Sequence, residues 1–343
     1  MERKLASIRK ISNLSPIEGA DKIELATVDG WKVVVAKDVG HKVGDHIIYC
    51  EIDSFLPIKE EFEFLRKSSY KKMSDGTEGF RLKTIKLRGQ ISQGLIMPIS
   101  ILNPPDTNIY VEPFEGLDVT EMLGIVKYEP PIPADLVGKV KGLFPSFIPK
   151  TDEERIQNFT NEYDGWKLQS KHQFYETEKL DGTSSTFYIN NGEFGVCSRN
   201  LELLETEGNT FWKVGRELDL ENKMKSLGKN VAIQGELIGE GIQGNPYKIK
   251  GQTIKFYTGF DIDKFQRLSL PEFISLISSM DLQSVPILTD RFILPETIDD
   301  MLKHAEAKSV LNPDTEREGV VIRSIDCTIS FKAISNKFLL DNE

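Results

Sequence analysis

Eight prolines fall between Asn103 and Lys150: Pro104, Pro105, Pro113, Pro130, Pro131, Pro133, Pro145 and Pro149. A proline removes a backbone donor and fixes φ, so neither a long helix nor a central strand runs through such a segment. The chain is therefore expected to fold as two units, and 343 residues are enough for each to bury a core. The spacing places a proline-rich linker at 129–150, between an N-terminal domain at 1–128 and a C-terminal domain at 151–343.

The first domain reads as short strands with tight turns. Ile23 to Val28 should meet Trp31 to Ala36 across the two-residue turn Asp29-Gly30, and Ile47 to Ile52 follows Gly44-Asp45. Strands this short and regularly spaced predict a small barrel or sandwich. Next, Arg66, Lys67, Lys71, Lys72, Arg81, Lys83, Lys86 and Arg88 crowd together against Asp75 and Glu78, with Tyr70 and Phe80 among them. Cations interleaved with rings suit a nucleic-acid strand, whose phosphates need charge and whose bases need faces to stack on. Lysines guarding a sheet edge give the same pattern.

Composition narrows the function classes. A net charge of -10 argues against coating nucleic acid through the overall field and leaves room for a local basic groove. No apolar run reaches membrane-spanning length, and none follows Met1-Glu2-Arg3-Lys4, so a cytoplasmic, membrane-free protein is expected. Cys50, Cys197 and Cys327 are odd in number and widely spaced, and His41, His46, His172 and His304 form no metal spacing. Neither a disulfide framework nor zinc chemistry is expected.

In the second domain, Tyr175 to Leu180 alternates as a strand and ends in Glu178-Lys179-Leu180-Asp181-Gly182, an amine between carboxylates succeeded by a turn. A lysine that attacks phosphorus must be partly neutral, face a pocket and have a metal nearby. A charged hairpin corner gives the same pentapeptide, so the motifs downstream of it have to decide between the two. A hairpin, Ser184 to Ile189 and Glu193 to Ser198, returns Arg199 to the same sheet end. Gln234-Gly235-Glu236 puts a carboxylate into an apolar strand, which is costly unless paired. Lys255 to Ile262 offers Phe256, Tyr257 and Phe260 as rings for a purine or for the core. Glu318-Gly319 leads into another apolar strand, and Lys332 and Lys337 come after it. Helices are expected at Asn209–Leu227, Ser269–Met280 and Thr297–Val310, with a further helix start at Thr151-Asp152-Glu153-Glu154.

Two resemblances attach to these motifs. Ser15 to Asp21, the Trp31 to Lys37 strand, Val43-Gly44-Asp45 and Leu87 to Gly94 look like the OB-type tRNA-binding module of some aminoacyl-tRNA synthetases, over about Lys4 to Ile99. The ordered set Lys179–Gly182, Ser198-Arg199-Asn200, Gly235-Glu236, Phe260-Asp261, Glu318 to Val321 and Phe331-Lys332 resembles the covalent nucleotidyltransferase superfamily, over roughly Lys150 to Leu340. Its layout is most similar to ATP-dependent RNA ligases that carry an OB-type module in front.

The resemblance implies an α+β fold: an N-terminal OB-type β-barrel, then a nucleotidyltransferase (ATP-grasp-like ligase) domain of antiparallel sheets flanked by helices. It implies a ligase that joins 3′-OH and 5′-phosphate RNA ends through lysyl-AMP on Lys179 and AMP-capped RNA. Its cofactors would be ATP and Mg2+ or Mn2+. Lys179 and Lys332 would be catalytic. Glu178, Leu180, Arg199, Glu236, Phe260, Lys332 and Lys337 would hold the nucleotide, and Asp181, Glu236 and Glu318 the metal. Desolvation and nearby cations would lower the pKa of Lys179. Many relatives space the last two lysines by one residue, so Lys332 is carried over more directly than Lys337. The expected partner is nicked RNA and the expected state a monomer without a protein partner. The rivals are an RNA- or tRNA-binding protein without catalysis, and a capping-type guanylyltransferase. Capping enzymes usually place an OB domain after the last motif, and with only Phe338 to Glu343 following Lys337 an RNA ligase is the expected reading.

Overall fold

The computed structural model describes residues 4–73, 76–103, 111–128, 139–168 and 173–342. The expected linker therefore lies outside the described residues as far as 138, as do Asp75 and His172. Contacts divide the chain into two units: Met1–Pro133 with Gln157–Thr160 and Leu339–Glu343, and Ala134–Ile156 with Asn161–Phe338.

In the N-terminal unit the long strand Ala6–Pro16 pairs antiparallel with His46–Cys50 through its first half and with Ile23–Val28 through its second. A register shift between Ile11 and Asn13 bends it, as a bulge does, so one strand serves two directions of a curved sheet. Leu95–Met97, His46–Cys50, Ala6–Pro16, Ile23–Val28 and Trp31–Ala36 succeed one another in five-stranded order. The expected hairpin closes at Asp29-Gly30, with Asp29 at φ 50° and Val28 opposite Trp31. A four-stranded sheet runs Val126–Lys127, Ser54–Pro57, Glu78–Arg81, Tyr70–Lys72. Ile8, Ile48, Leu56, Phe62 and Phe80 share one core cluster, and Trp31, Val33, Tyr49 and Ile52 another.

Gln157–Thr160 belongs to this unit through polar contacts. Gly30 N–H donates to the Gln157 carbonyl (3.1 Å), Trp31 Nε1 donates to Asn158 Oδ1 (2.6 Å), and Asn158 Nδ2 donates to Glu51 Oε1 (2.9 Å). In the basic stretch, Tyr70–Lys72 is an exposed edge strand. Arg66 lies over the rings of Tyr70 and Phe80, and Arg81 lies 4.3 Å from the centroid of Tyr128.

The described residues of the second unit form two antiparallel sheets. The larger runs Val140–Leu143, Leu201–Leu203, Glu193–Cys197, Thr183–Asn190, Val231–Gly239, Gln252–Asp261, Gln266–Arg267. The smaller runs Ile287–Phe292, Phe174–Lys179, Gly319–Ser324, Ser330–Ile334. Phe187, Ile189, Ile233, Leu237, Ile254 and Phe256 line one face of the large sheet and pack on Val214, Leu220, Met224, Phe273 and Ile277 from helices. The period of two leaves Ser184, Gln234 and Glu236 on its other face.

Four expectations meet a different local structure. Val140–Leu143, expected within the linker, pairs with Leu201–Leu203, and Ile148 is buried against Tyr188 and Phe260. The Asn209–Leu227 helix is two helices, Thr210–Glu217 and Leu220–Lys225, because Asp219 takes a left-handed φ of 53° between them. The Thr297–Val310 helix stops after Ile298–Ala305, where Arg317 Nε and Nη2 donate to the carbonyls of Ala305 (3.0 Å) and His304 (2.5 Å). The acidic run Thr151–Glu154 starts no helix: it is non-helical, and the next elements are the single turn Ile156–Asn158 and the helix Thr160–Leu168.

Glu153 in that run makes a buried ion pair. Arg323, 2% exposed in its side chain, donates Nη2 (2.7 Å) and Nε (3.1 Å) to Glu153 Oε1, and Ser330 donates to Glu153 Oε2. Removing one partner of such a pair leaves an uncompensated buried charge. Glu153→Ala is expected to cost about 3–5 kcal/mol in denaturant unfolding. Glu205→Ala, which breaks only the exposed pair with Arg216, should cost less than about 1 kcal/mol.

Candidate active site

Lys179 is the last residue of Phe174–Lys179, and its register partner on the neighbouring strand is Gly319. That pairing sets Glu318, one residue before Gly319, against the amine: Lys179 Nζ donates to Glu318 Oε2 at 2.7 Å. Glycine is required on both sides of this junction. A Cβ at Gly319 would lie 2.2 Å from the Ala333 carbonyl oxygen, and one at Gly182 would lie 2.5 Å from that of Leu237. The close approach at Gly182 and the pairing of Ser184 with Glu236 bring Glu236 beside the Lys179–Asp181 turn. Asp181 is fixed there by its own backbone N–H, which donates to the Tyr247 hydroxyl at 2.6 Å.

One amine thus faces three carboxylates in a partly buried space. Burial works against the charged amine, but Glu318, Glu236 and Asp181 outweigh it, and the pKa of Lys179 lies above the ordinary lysine value. This corrects the expectation of a lowered pKa: without ligand, the groups around the amine are acids rather than cations. The acids respond in turn. Burial, opposed by Lys179 and reinforced by Glu318 and Asp181, pushes Glu236 up to about 8. Burial and repulsion from Glu318 push Asp181 up to about 6. Among the described residues no three His, Cys, Asp or Glu side chains form a ready-made metal cage. The donor set still fits a hard divalent cation that keeps part of its water shell, because the carboxylates are oxygen donors carrying more negative charge than one amine neutralises.

Two more of the expected residues stand together. Lys332 Nζ donates to Asp152 Oδ1 (3.1 Å) and Arg199 Nη2 donates to Asp152 Oδ2 (3.2 Å), and the Arg199 charge is felt at Glu236. The remaining expected residues lie elsewhere. Glu178 is buried on the opposite face of its strand from Lys179, where Oε2 accepts from Val310 N–H (2.8 Å) and Oε1 has no hydrogen-bond partner. The Leu180 side chain packs with Ile238, Tyr247 and Val285. Phe260, 2% exposed, packs with Ile148, Tyr188, Cys197 and Ala232, edge-on to Phe265. Lys337 pairs with Glu316 (2.6 Å), which also takes Lys308.

Sequence reasoning missed Asp152, Tyr247 and the Glu153–Arg323 pair. It left Tyr257 undistinguished from its neighbours, yet this is the ring of its strand that reaches the site: its hydroxyl bonds with those of Thr151 (2.8 Å) and Ser184 (3.2 Å), and Arg323 lies 5.8 Å from its centroid. The register shift between Gln234 and Gly235, which leaves Tyr257 without a cross-strand partner, could not be read from alternation.

Comparison with known proteins accords with this geometry. An OB-fold domain model matches residues 5–99, and an RNA ligase model matches residues 172–335. A comparison with curated proteins finds no match. Among solved structures the chain is similar to Naegleria gruberi RNA ligase: a glutamate-to-alanine mutant with AMP and Mn (TM-score 0.88), the enzyme with PPi (0.87), and a lysine-to-alanine mutant with ATP and Mn (0.87). In each case the identity is 41% and the match covers 98% of both chains. With its N-terminal OB-fold domain and a lysine ringed by acids at the junction of two antiparallel sheets, this chain belongs to the RNA ligase family.

Proposed function

We propose that the protein joins RNA 3′-hydroxyl and 5′-phosphate ends at the expense of ATP, through an adenylate carried on Lys179. The single observation that carries this reading is the Lys179 amine 2.7 Å from Glu318, within the electrostatic reach of Glu236 and Asp181. In the first step Lys179 Nζ bonds to the α-phosphorus of ATP, the bond from that phosphorus to the bridging oxygen breaks, and pyrophosphate leaves. The amine must first lose its proton, and Glu318 Oε2 is the carboxylate oxygen in hydrogen-bond contact to receive it. AMP then passes to the 5′-phosphate of RNA, and a 3′-hydroxyl displaces it to form the phosphodiester bond.

Lys332 and Arg199, both held near Asp152, are the cations we assign to the α-phosphate and the ribose side. Tyr257, whose hydroxyl reaches Thr151 and Ser184, is the ring available to the base, since Phe260 is buried in the core. Asp181, Glu236 and Glu318 would hold Mg2+ or Mn2+, which would neutralise developing phosphate charge and, with the acids' charge engaged, let the Lys179 pKa fall. The N-terminal unit is assigned to RNA through its exposed Tyr70–Lys72 edge and the neighbouring basic residues. Nicked duplex is the assigned substrate, and repair the assigned use.

Incubation with α-labelled ATP and Mn2+ should place an acid-labile label on the protein, and Lys179→Ala should abolish it. No label on the intact chain would contradict catalysis, and label from GTP alone would point to capping chemistry. With all-RNA nicked duplex, sealing should proceed in the wild type and be lost by at least about 100-fold in Lys332→Ala, the scale of losing an electrostatic transition-state contact.

The metal should also report on the acids. Protonated carboxyls do not ligate, so Mn2+ affinity without nucleotide should rise as pH goes from 6 to 8, through the values of Asp181 and Glu236, with proton release. Calorimetric titrations in two buffers of different ionisation enthalpy measure that release. Glu236→Gln should weaken binding and flatten the upper part of the pH dependence.

A further inference from the structure

Thr151–Arg155 engages site residues along its whole length. The Thr151 hydroxyl bonds with that of Tyr257, Glu153 takes Arg323, the Glu154 carbonyl accepts from the Lys332 backbone N–H (2.8 Å), and Arg155 forms a parallel bridge with Lys332. The segment is thus fixed on both sides of Asp152. That fixing presents the Asp152 carboxylate with one oxygen on Lys332 and the other on Arg199, at 3.1 and 3.2 Å. A planar anion bridging two cations through separate oxygens is also how a phosphate group would meet them.

We propose that Asp152 is a built-in stand-in for the nucleotide phosphate: it holds Lys332 and Arg199 together when no nucleotide is bound and competes with ATP for them. The inference rests on the proposed role of those two cations in holding the nucleotide. Like charges brought together without an anion repel, and long side chains lose order. A fixed carboxylate offsets both and keeps the cations aimed at one place. The cost is affinity, since ATP must displace an anion that cannot diffuse away. A phosphate with more charge and more oxygens succeeds; a weakly charged ligand does not. Asp152 is a positioning residue in this account, since it acts through Lys332 and Arg199.

The test is the ATP dependence of Lys179 labelling in wild type, Asp152→Asn and Asp152→Ala. The Asn variant keeps the shape and removes the charge, and the Ala variant removes both. Both should lower the KM for ATP about threefold or more, the scale of a partly exposed ion pair, and by a larger factor than any change in kcat. Both should also be inhibited at lower sulfate concentrations, because a free anion then meets no internal rival. An unchanged or raised KM in folded variants overturns the proposal, as does a fall in kcat and melting temperature with KM unmoved, which marks a purely structural residue. If the wild type takes no label, the ligase reading falls and this inference with it. Normal wild-type labelling with unmoved KM removes only the role given to Asp152.

Discussion

The interaction on which the site depends is the attraction between the Lys179 amine and the three carboxylates folded around it. It is unfavourable for chemistry in the ligand-free state, because acids that outweigh burial keep the amine protonated. Burial first, and repulsion among the acids second, raises Glu236 and Asp181, so the cluster carries strained charge before any ligand arrives. In the proposed reaction Glu318, Glu236 and Asp181 would hold a divalent cation, whose charge would offset theirs and let the Lys179 pKa fall. Without ligand, Lys179 stays protonated and paired with Glu318.

The fold serves this cluster through strand register. Pairing Lys179 with Gly319 fixes the distance from the amine to Glu318, and pairing Ser184 with Glu236 brings in the second acid from the other sheet. Neither glycine tolerates a Cβ, because Gly319 lies against the Ala333 carbonyl of the next strand and Gly182 against that of Leu237. Behind the site, Arg323 and Glu153 hold the small sheet to the Thr151–Arg155 segment with a buried pair whose geometry has little freedom. The cations on the far side, Arg199 and Lys332, are kept in register by Asp152. Without any ligand, both cations share Asp152 and the Lys179 amine rests on Glu318.

Much of this was legible in the sequence, because the motifs are local. The ordered motifs, through the resemblance they carry, singled out Lys179, Asp181, Glu236 and Glu318, and the structure brings these four together. What was hidden depends on distance. The sign of the Lys179 shift is a sum over residues up to 139 positions apart in the chain. Glu178 looks as close to the amine as Asp181, yet the alternation of its strand turns it to the other face, onto Val310. Thr151-Asp152-Glu153-Glu154 has the composition of a helix start, and it forms none because Arg199, Lys332 and Arg323 engage its acids. A helix first turn and an ion-paired strap use the same residues, and only tertiary partners separate them.

The protonation state of Lys179 is the most direct test of this account. Carbon-13 labelling of lysine and NMR titration of the ε-carbon, assigned by comparison with Lys179→Met, track it in the intact protein. The account predicts a charged amine without ligand throughout pH 6 to 9, and a lower apparent pKa once Mg2+ and a non-reactive ATP analogue are bound. An amine already neutral near pH 7 without ligand, or one whose titration is unmoved by metal and nucleotide, would contradict it.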